Sequence, residues 1–134
     1  MKISDKEPPY QLLRQCQEKF DLTGKQPCFM VGDTLYNPFK GHIDETLIAH
    51  ETVHGMQQGD DILGWWHKYL EDKDFRFKQE LEAYRVQYRV GKEIISDRNE
   101  VARLLFRISA DLSSPMYGSM VGRIEALKLI KKGI

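Results

Sequence analysis

The apolar positions of this chain follow two periods, with a short interruption between them. After Pro8-Pro9, residues Leu12, Leu13, Cys16 and Phe20 share one helical face, which predicts a first helix within residues 10–20 that ends before Gly24. The pattern then shortens. Cys28-Phe29-Met30-Val31 and Thr34-Leu35-Tyr36 are compact apolar runs on either side of Gly32-Asp33, a glycine-led loop that suits a tight hairpin. Asn37-Pro38 closes the second run. This hairpin, entered through Gln26-Pro27, is the one β element the pattern predicts. Beyond Gly41 the spacing is helical throughout. A helix over residues 45–58 starts at Asp44 as N-cap and stops at Gly59-Asp60-Asp61. An aromatic-rich piece covers 62–70, and a long amphipathic stretch covers 75–95. Val101, Leu104, Leu105, Ile108 and Leu112 mark another helix, broken by Ser113-Ser114-Pro115. Met120, Ile124, Leu127 and Ile130 mark a last one, with Lys128, Lys131 and Lys132 where cations favour the helix dipole. The expected fold is α+β: a single, mostly α-helical domain over residues 1–134, with a small β-hairpin packed against the helices.

Composition narrows the function classes. A chain of 134 residues suits one core, since two would each be marginal. Twenty basic and twenty acidic residues balance, so no charge surplus favours nucleic acid. Arg85, Arg89, Arg98, Arg103 and Arg107 then read as solvated helix faces, which disfavours a nucleic-acid accessory role. No window approaches eighteen apolar residues, so no membrane partner is expected. The opening Met-Lys-Ile-Ser-Asp-Lys-Glu-Pro-Pro lacks the apolar stretch of a secretory signal. Cys16 and Cys28 are expected as free thiols in a cytoplasmic protein.

The chemistry concentrates in Leu47-Ile48-Ala49-His50-Glu51-Thr52-Val53-His54. His50, Glu51 and His54 form H-E-x-x-H on a predicted helix. Residues four apart lie one turn above each other, so both imidazoles can reach one metal. Glu51 lies about 100° around the helix from His50, beside the metal without having to ligate it. Apolar Leu47, Ala49, Val53 and Met56 predict that this helix is buried. A catalytic zinc takes three protein ligands and keeps a fourth position open. Candidates for the third are His42, His67, the two cysteines and several acids. On the long helix, Phe77, Ala83, Tyr84, Gln87 and Tyr88 lie within about 80° of Glu80, whereas Glu82 lies on the opposite side with Lys78, Arg85 and Arg89. A carboxylate on a core-facing stripe is costly unless paired or metal-bound. Glu80 is therefore the expected third ligand, the alternative being a buried acid paired with Arg76 or Arg103.

H-E-x-x-H followed by a helix bearing Glu80 and Ala83 resembles the gluzincin metallopeptidases. The short chain, Gln57-Gln58 after the motif and Glu80-Leu81-Glu82-Ala83-Tyr84 look most like the minimal gluzincin domains of phage genomes and some bacterial proteins. Leu112-Ser113-Ser114-Pro115-Met116-Tyr117-Gly118 is also similar to segments of such short phage proteins. The resemblance implies a zinc peptidase acting in the cytoplasm or, if phage-encoded, a virion. It implies a second-layer acid where this chain has Tyr84, a departure. It also implies an edge strand above the metal that takes up extended peptide, here Thr34-Leu35-Tyr36.

The expected function is hydrolysis of a peptide or protein substrate by a water activated on Zn2+. His50, His54 and Glu80 hold the metal, and Glu51 is the general base. Tyr117, on a loop, and His67 are candidate stabilisers of the oxyanion. The alternative is an inactive zinc-binding domain serving as a phage structural or protein-binding component, because a chain this small leaves little room for a deep cleft.

Overall fold

The computed structural model describes residues 1–9 and 11–133. Tyr10, placed in the first predicted helix, lies outside the described residues. Along the chain run β1 (Lys2–Ser4), α1 (Leu12–Lys19), β2 (Phe29–Val31), β3 (Thr34–Tyr36), α2 (Glu45–Gln58), α3 (Ile62–Glu71), α4 (Lys73–Ile94), α5 (Arg98–Leu112) and α6 (Arg123–Lys132). A single 3₁₀ turn covers Pro115–Tyr117. The fold is mostly helical with a small three-stranded sheet, α+β as the pattern predicts.

Aspartates start four successive helices. Asp44, Asp61, Asp72 and Asp97 accept hydrogen bonds from the backbone N–H of Leu47, Gly64, Phe75 and Asn99 at 2.8–3.0 Å. Each satisfies a donor that helix geometry leaves open and sets a carboxylate against the positive end of the dipole. α4 is the central element and packs against α2, α3, α5 and α6. Its core face meets Leu104, Leu105, Ile108 and Leu112 of α5 and Ala126 and Ile130 of α6, all buried. Met120 and Ile124, expected on the last helix's apolar face, are exposed, and that helix starts later, at Arg123. Met56 is also exposed, at 70%, so α2 is buried on one side only.

The hairpin forms as read, with Phe29, Met30 and Val31 opposite Tyr36, Leu35 and Thr34. It packs on α2 because Gly55 has no side chain. A Cβ there would meet Gly32 O at 2.9 Å. The sheet also holds a strand the pattern did not predict. β1 pairs in parallel with β3, Lys2 beside Thr34 and Ser4 beside Tyr36, giving the order β1-β3-β2. This corrects the peptide-docking expectation for Thr34-Leu35-Tyr36. β3 is central and hydrogen-bonded on both sides, so it has no free edge. β2 is the edge strand that packs against α2. Part of its outer edge is closed: Gln58 donates to Met30 O at 2.7 Å and accepts from Gly32 N at 2.7 Å, and Trp66 Nε1 donates to Met30 O at 3.0 Å. Among the described residues, no helix is long and apolar enough to cross a membrane.

Candidate metal centre

One helical turn on α2 stacks His50 and His54 with ring centroids 4.8 Å apart, and their Nε2 atoms lie 3.1 Å from each other. α4 runs antiparallel beside α2 and carries Glu80 into the same place. Its Oε1 is 3.0 Å from His50 Nε2 and 3.2 Å from His54 Nε2. All three side chains are buried. Two imidazole nitrogens and one carboxylate oxygen thus form a nearly equilateral triangle. A tetrahedral metal with bonds near 2.05 Å needs ligand atoms about 3.3 Å apart, close to these separations. The group can hold a metal ion. Neither alternative partner pairs with Glu80: the Arg76 guanidinium donates to the carbonyls of Tyr69, Leu70 and Met116, and Arg103 is exposed on α5.

The electrostatics of the metal-free cluster follow from burial and proximity. Burial, the largest single influence, works against charge on His54, but the charge and hydrogen bond of Glu80, with Glu51 and Gln57 adding to them, together outweigh it and raise the pKa to about 9. Burial alone would raise Glu80; His54 and His50 instead hold it well below the usual carboxylate range. Either a proton or a metal cation can therefore occupy the centre of the triangle. Glu51 is buried on α2 outside this trio, and it lines the cavity described below. Burial raises its pKa, and Glu80 adds to this, while both histidines oppose it.

Two residues that the sequence reading did not single out for a role support the ligands. Gln57 Oε1 is 2.8 Å from His54 Nδ1, while its amide nitrogen donates to Gln79 O at 3.0 Å and Glu82 Oε1 at 2.9 Å. An acceptor at Nδ1 keeps the proton there and leaves Nε2 free to ligate. The Tyr69 hydroxyl donates to Glu80 Oε2 at 2.5 Å. Gln57 follows His54 by three positions on one helix, a spacing that could have flagged it. Nothing in local spacing relates Tyr69 to Glu80.

A cavity of about 530 Å³ opens onto the cluster. His50, Glu51, His54 and Glu80 line its inner end, with Phe20, Phe29, Trp66 and Met116 among the apolar walls and Lys25, Asp44, Arg107 and Asp111 among the charged ones. Tyr117 is brought to this cavity and buried. Its hydroxyl lies 3.5 Å from that of Tyr84. Tyr84 packs its ring against His50, centroids 4.5 Å apart, and makes no hydroxyl bond to a histidine. Burial pushes both phenols well above their ordinary pKa.

His67 is not brought to the site. It is exposed on α3 and lines a separate groove with Leu12, Leu63 and Leu70. Trp65 and Tyr69 turn inward from that helix, and His67, between them, necessarily turns out. His42 is exposed at the cavity and outside the cluster. Cys16 and Cys28 are free thiols, raised by burial to about 12 and about 11, and neither joins the triangle. No family model, curated protein or solved structure matches this chain.

Proposed function

We propose that the domain is a zinc-dependent peptidase, with His50, His54 and Glu80 as ligands. The observation that carries this reading is the placement of Glu51, a buried carboxyl next to the ligand triangle, outside it and open to the cavity. The donor set, two imidazoles and a carboxylate, suits zinc in a catalytic site with an open fourth position. Bound zinc would supply Lewis-acid activation of water and of the scissile carbonyl. Glu51 accepts the proton of the attacking water and delivers it to the leaving amine. In the metal-free cluster burial raises the Glu51 pKa, and a bound cation would lower it again, which keeps the carboxylate available as the base. The Tyr117 hydroxyl, protonated at neutral pH and lining the same cavity, is a donor for a developing oxyanion.

The substrate strand docks on β2. Along a strand, the N–H and C=O of alternate residues face the same side. Met30 presents its carbonyl away from β3, to Gln58 and Trp66, and the same alternation turns the carbonyl of Cys28, just before β2, outward. Cys28 lines the cavity, and an extended peptide can pair with it there. The same cavity weakens the argument that the chain is too small for a cleft.

The test is metal content by plasma mass spectrometry for wild type, His54→Ala and Glu80→Ala, followed by proteolysis assays of Glu51→Gln. About one zinc per chain, lost in both ligand variants, together with a Glu51→Gln protein that keeps its zinc but loses nearly all turnover, supports the reading. Zinc bound without peptidase activity on any unfolded protein substrate would instead favour the inactive zinc-binding domain. A wild type that takes up no zinc after dialysis against the metal would refute the site itself.

A further inference from the structure

We propose that Gln87 positions His50, acting through one water molecule seated between Gln87 Oε1 and the imidazole Nδ1–H. The inference rests on the metal-site reading above. Among the described residues, two buried side-chain polar atoms have no hydrogen-bond partner, His50 Nδ1 and Gln87 Oε1. Both residues line the cavity at the cluster, 5% and 4% exposed. Leaving such groups unmatched is costly, so each calls for a partner.

Their chemistry is complementary. His50 Nε2 faces Glu80 Oε1 and His54 Nε2. An imidazole that ligates through Nε2 carries its proton on Nδ1, which makes that atom a donor. An amide oxygen only accepts. The orientation of the Gln87 amide is set by Thr46: its hydroxyl donates to Asp44 Oδ1 at 2.7 Å, so its oxygen accepts from Gln87 Nε2 at 3.3 Å. Oε1 is therefore the free end.

The helix register brings the two together. α4 passes α2 with Glu80 beside His50 and His54, Tyr84 against the His50 ring, and Gln87 against Thr46. Thr46 lies one turn before His50, on the side toward which helical side chains tilt. The two orphan atoms are not bonded directly, and a single group between them would satisfy both. A water accepts from Nδ1–H and donates to Oε1, with the cavity supplying room. His54 has its glutamine in direct contact; His50 reaches one through water. Asp111 of α5 lines the same cavity and is the competing acceptor.

The experiment measures zinc affinity by chelator competition and the histidine Nδ1–H resonances by ¹⁵N NMR of the zinc-loaded protein. Gln87→Leu is expected to weaken zinc binding about 10–100-fold. It should also expose the His50 Nδ1–H to solvent exchange while leaving that of His54 unchanged. Gln87→Glu keeps an acceptor oxygen for the water but loses the N–H that Thr46 Oγ1 accepts, so it should recover part of the affinity and shield the His50 Nδ1–H again. A Gln87→Leu protein with a lower melting temperature but wild-type affinity and resonances would make Gln87 a packing residue and overturn the proposal. So would a loss confined to Asp111→Leu, which removes the competing acceptor. Should Gln87→Leu fail to fold, Thr46→Val frees the amide to turn and is expected to weaken zinc several-fold; unchanged affinity there overturns the proposal. A wild type that binds no zinc refutes the metal site itself, a different outcome from tight wild-type binding that Gln87→Leu leaves intact.

Discussion

Replacing Tyr69 with Phe removes one oxygen atom from the support of Glu80. The hydroxyl donates to Glu80 Oε2 at 2.5 Å, whereas Oε1 is shared by the two histidines. Burial and nearby Glu80 keep the phenol protonated far into alkali, so it is a donor at any working pH. The ring itself stays, and with it the stacking on Trp65 at 5.0 Å. What is lost is a charge-assisted hydrogen bond to a buried carboxylate, which contributes about 1.5–3 kcal/mol. Glu80 is ionised whether a proton on His54 or a metal balances it, so urea unfolding should show that loss with and without zinc. Zinc affinity should fall as well, by about 10–100-fold, because the ligand oxygen is no longer held in place. Urea titration and chelator competition read the two effects separately. An unfolding free energy within about 0.5 kcal/mol of wild type, together with unchanged zinc affinity, would refute the view that Tyr69 holds Glu80.

Further outcomes follow from the electrostatics and the packing. In the metal-free protein, the pKa of His54 is raised from 6.5 to about 9, so its pairing with Glu80 stabilises fully below pH 6.5 and fades as pH climbs toward 9. Glu80, depressed from 4.5, contributes above that value and is lost on strong acidification. Urea stability of the metal-free protein should therefore fall as pH rises from about 6.5 toward 9.5, with the raised carboxyl of the buried Glu51 adding to the loss; a flat profile would contradict the pairing. Zinc affinity should rise over that same interval, as the metal displaces the His54 proton. Gly55→Ala should cost about 1–3 kcal/mol, because its Cβ meets backbone Gly32 O at 2.9 Å. Gly91→Ala should cost much less, since the obstacle is the Leu104 Cδ2 end of a flexible side chain; equal melting temperatures for the two variants would refute the distinction.

Most of the helices could be read from the chain, because helical period and aspartate caps are local properties. The spacing of His50 and His54 needs nothing but one turn of backbone. Glu80 was legible for a related reason: the apolar stripe of α4 shows which side of that helix is buried, and the acid sits in its middle. β1 was not legible. Lys2–Ser4 carries only a three-residue polar-apolar alternation, too short to predict a strand, and it pairs only because β3 offers an unfilled edge. That pairing fills the outer edge of β3, so the proposed peptide track passes to β2, the hairpin strand whose outer side is left unpaired by the sheet. His67 and Tyr69 show the same division within one short helix. Both are on α3 with aromatic neighbours, and which of them faces Glu80 depends on how α3 rolls against α4. Sequence by itself determined the helices, the hairpin, the histidine pair and the buried acid, since these follow from periodicity within a segment. Tertiary structure decided the strand order, the partners of Glu80 and His54, and the two orphan atoms beside His50. These depend on faces far apart in the chain being packed together, and no local spacing encodes that.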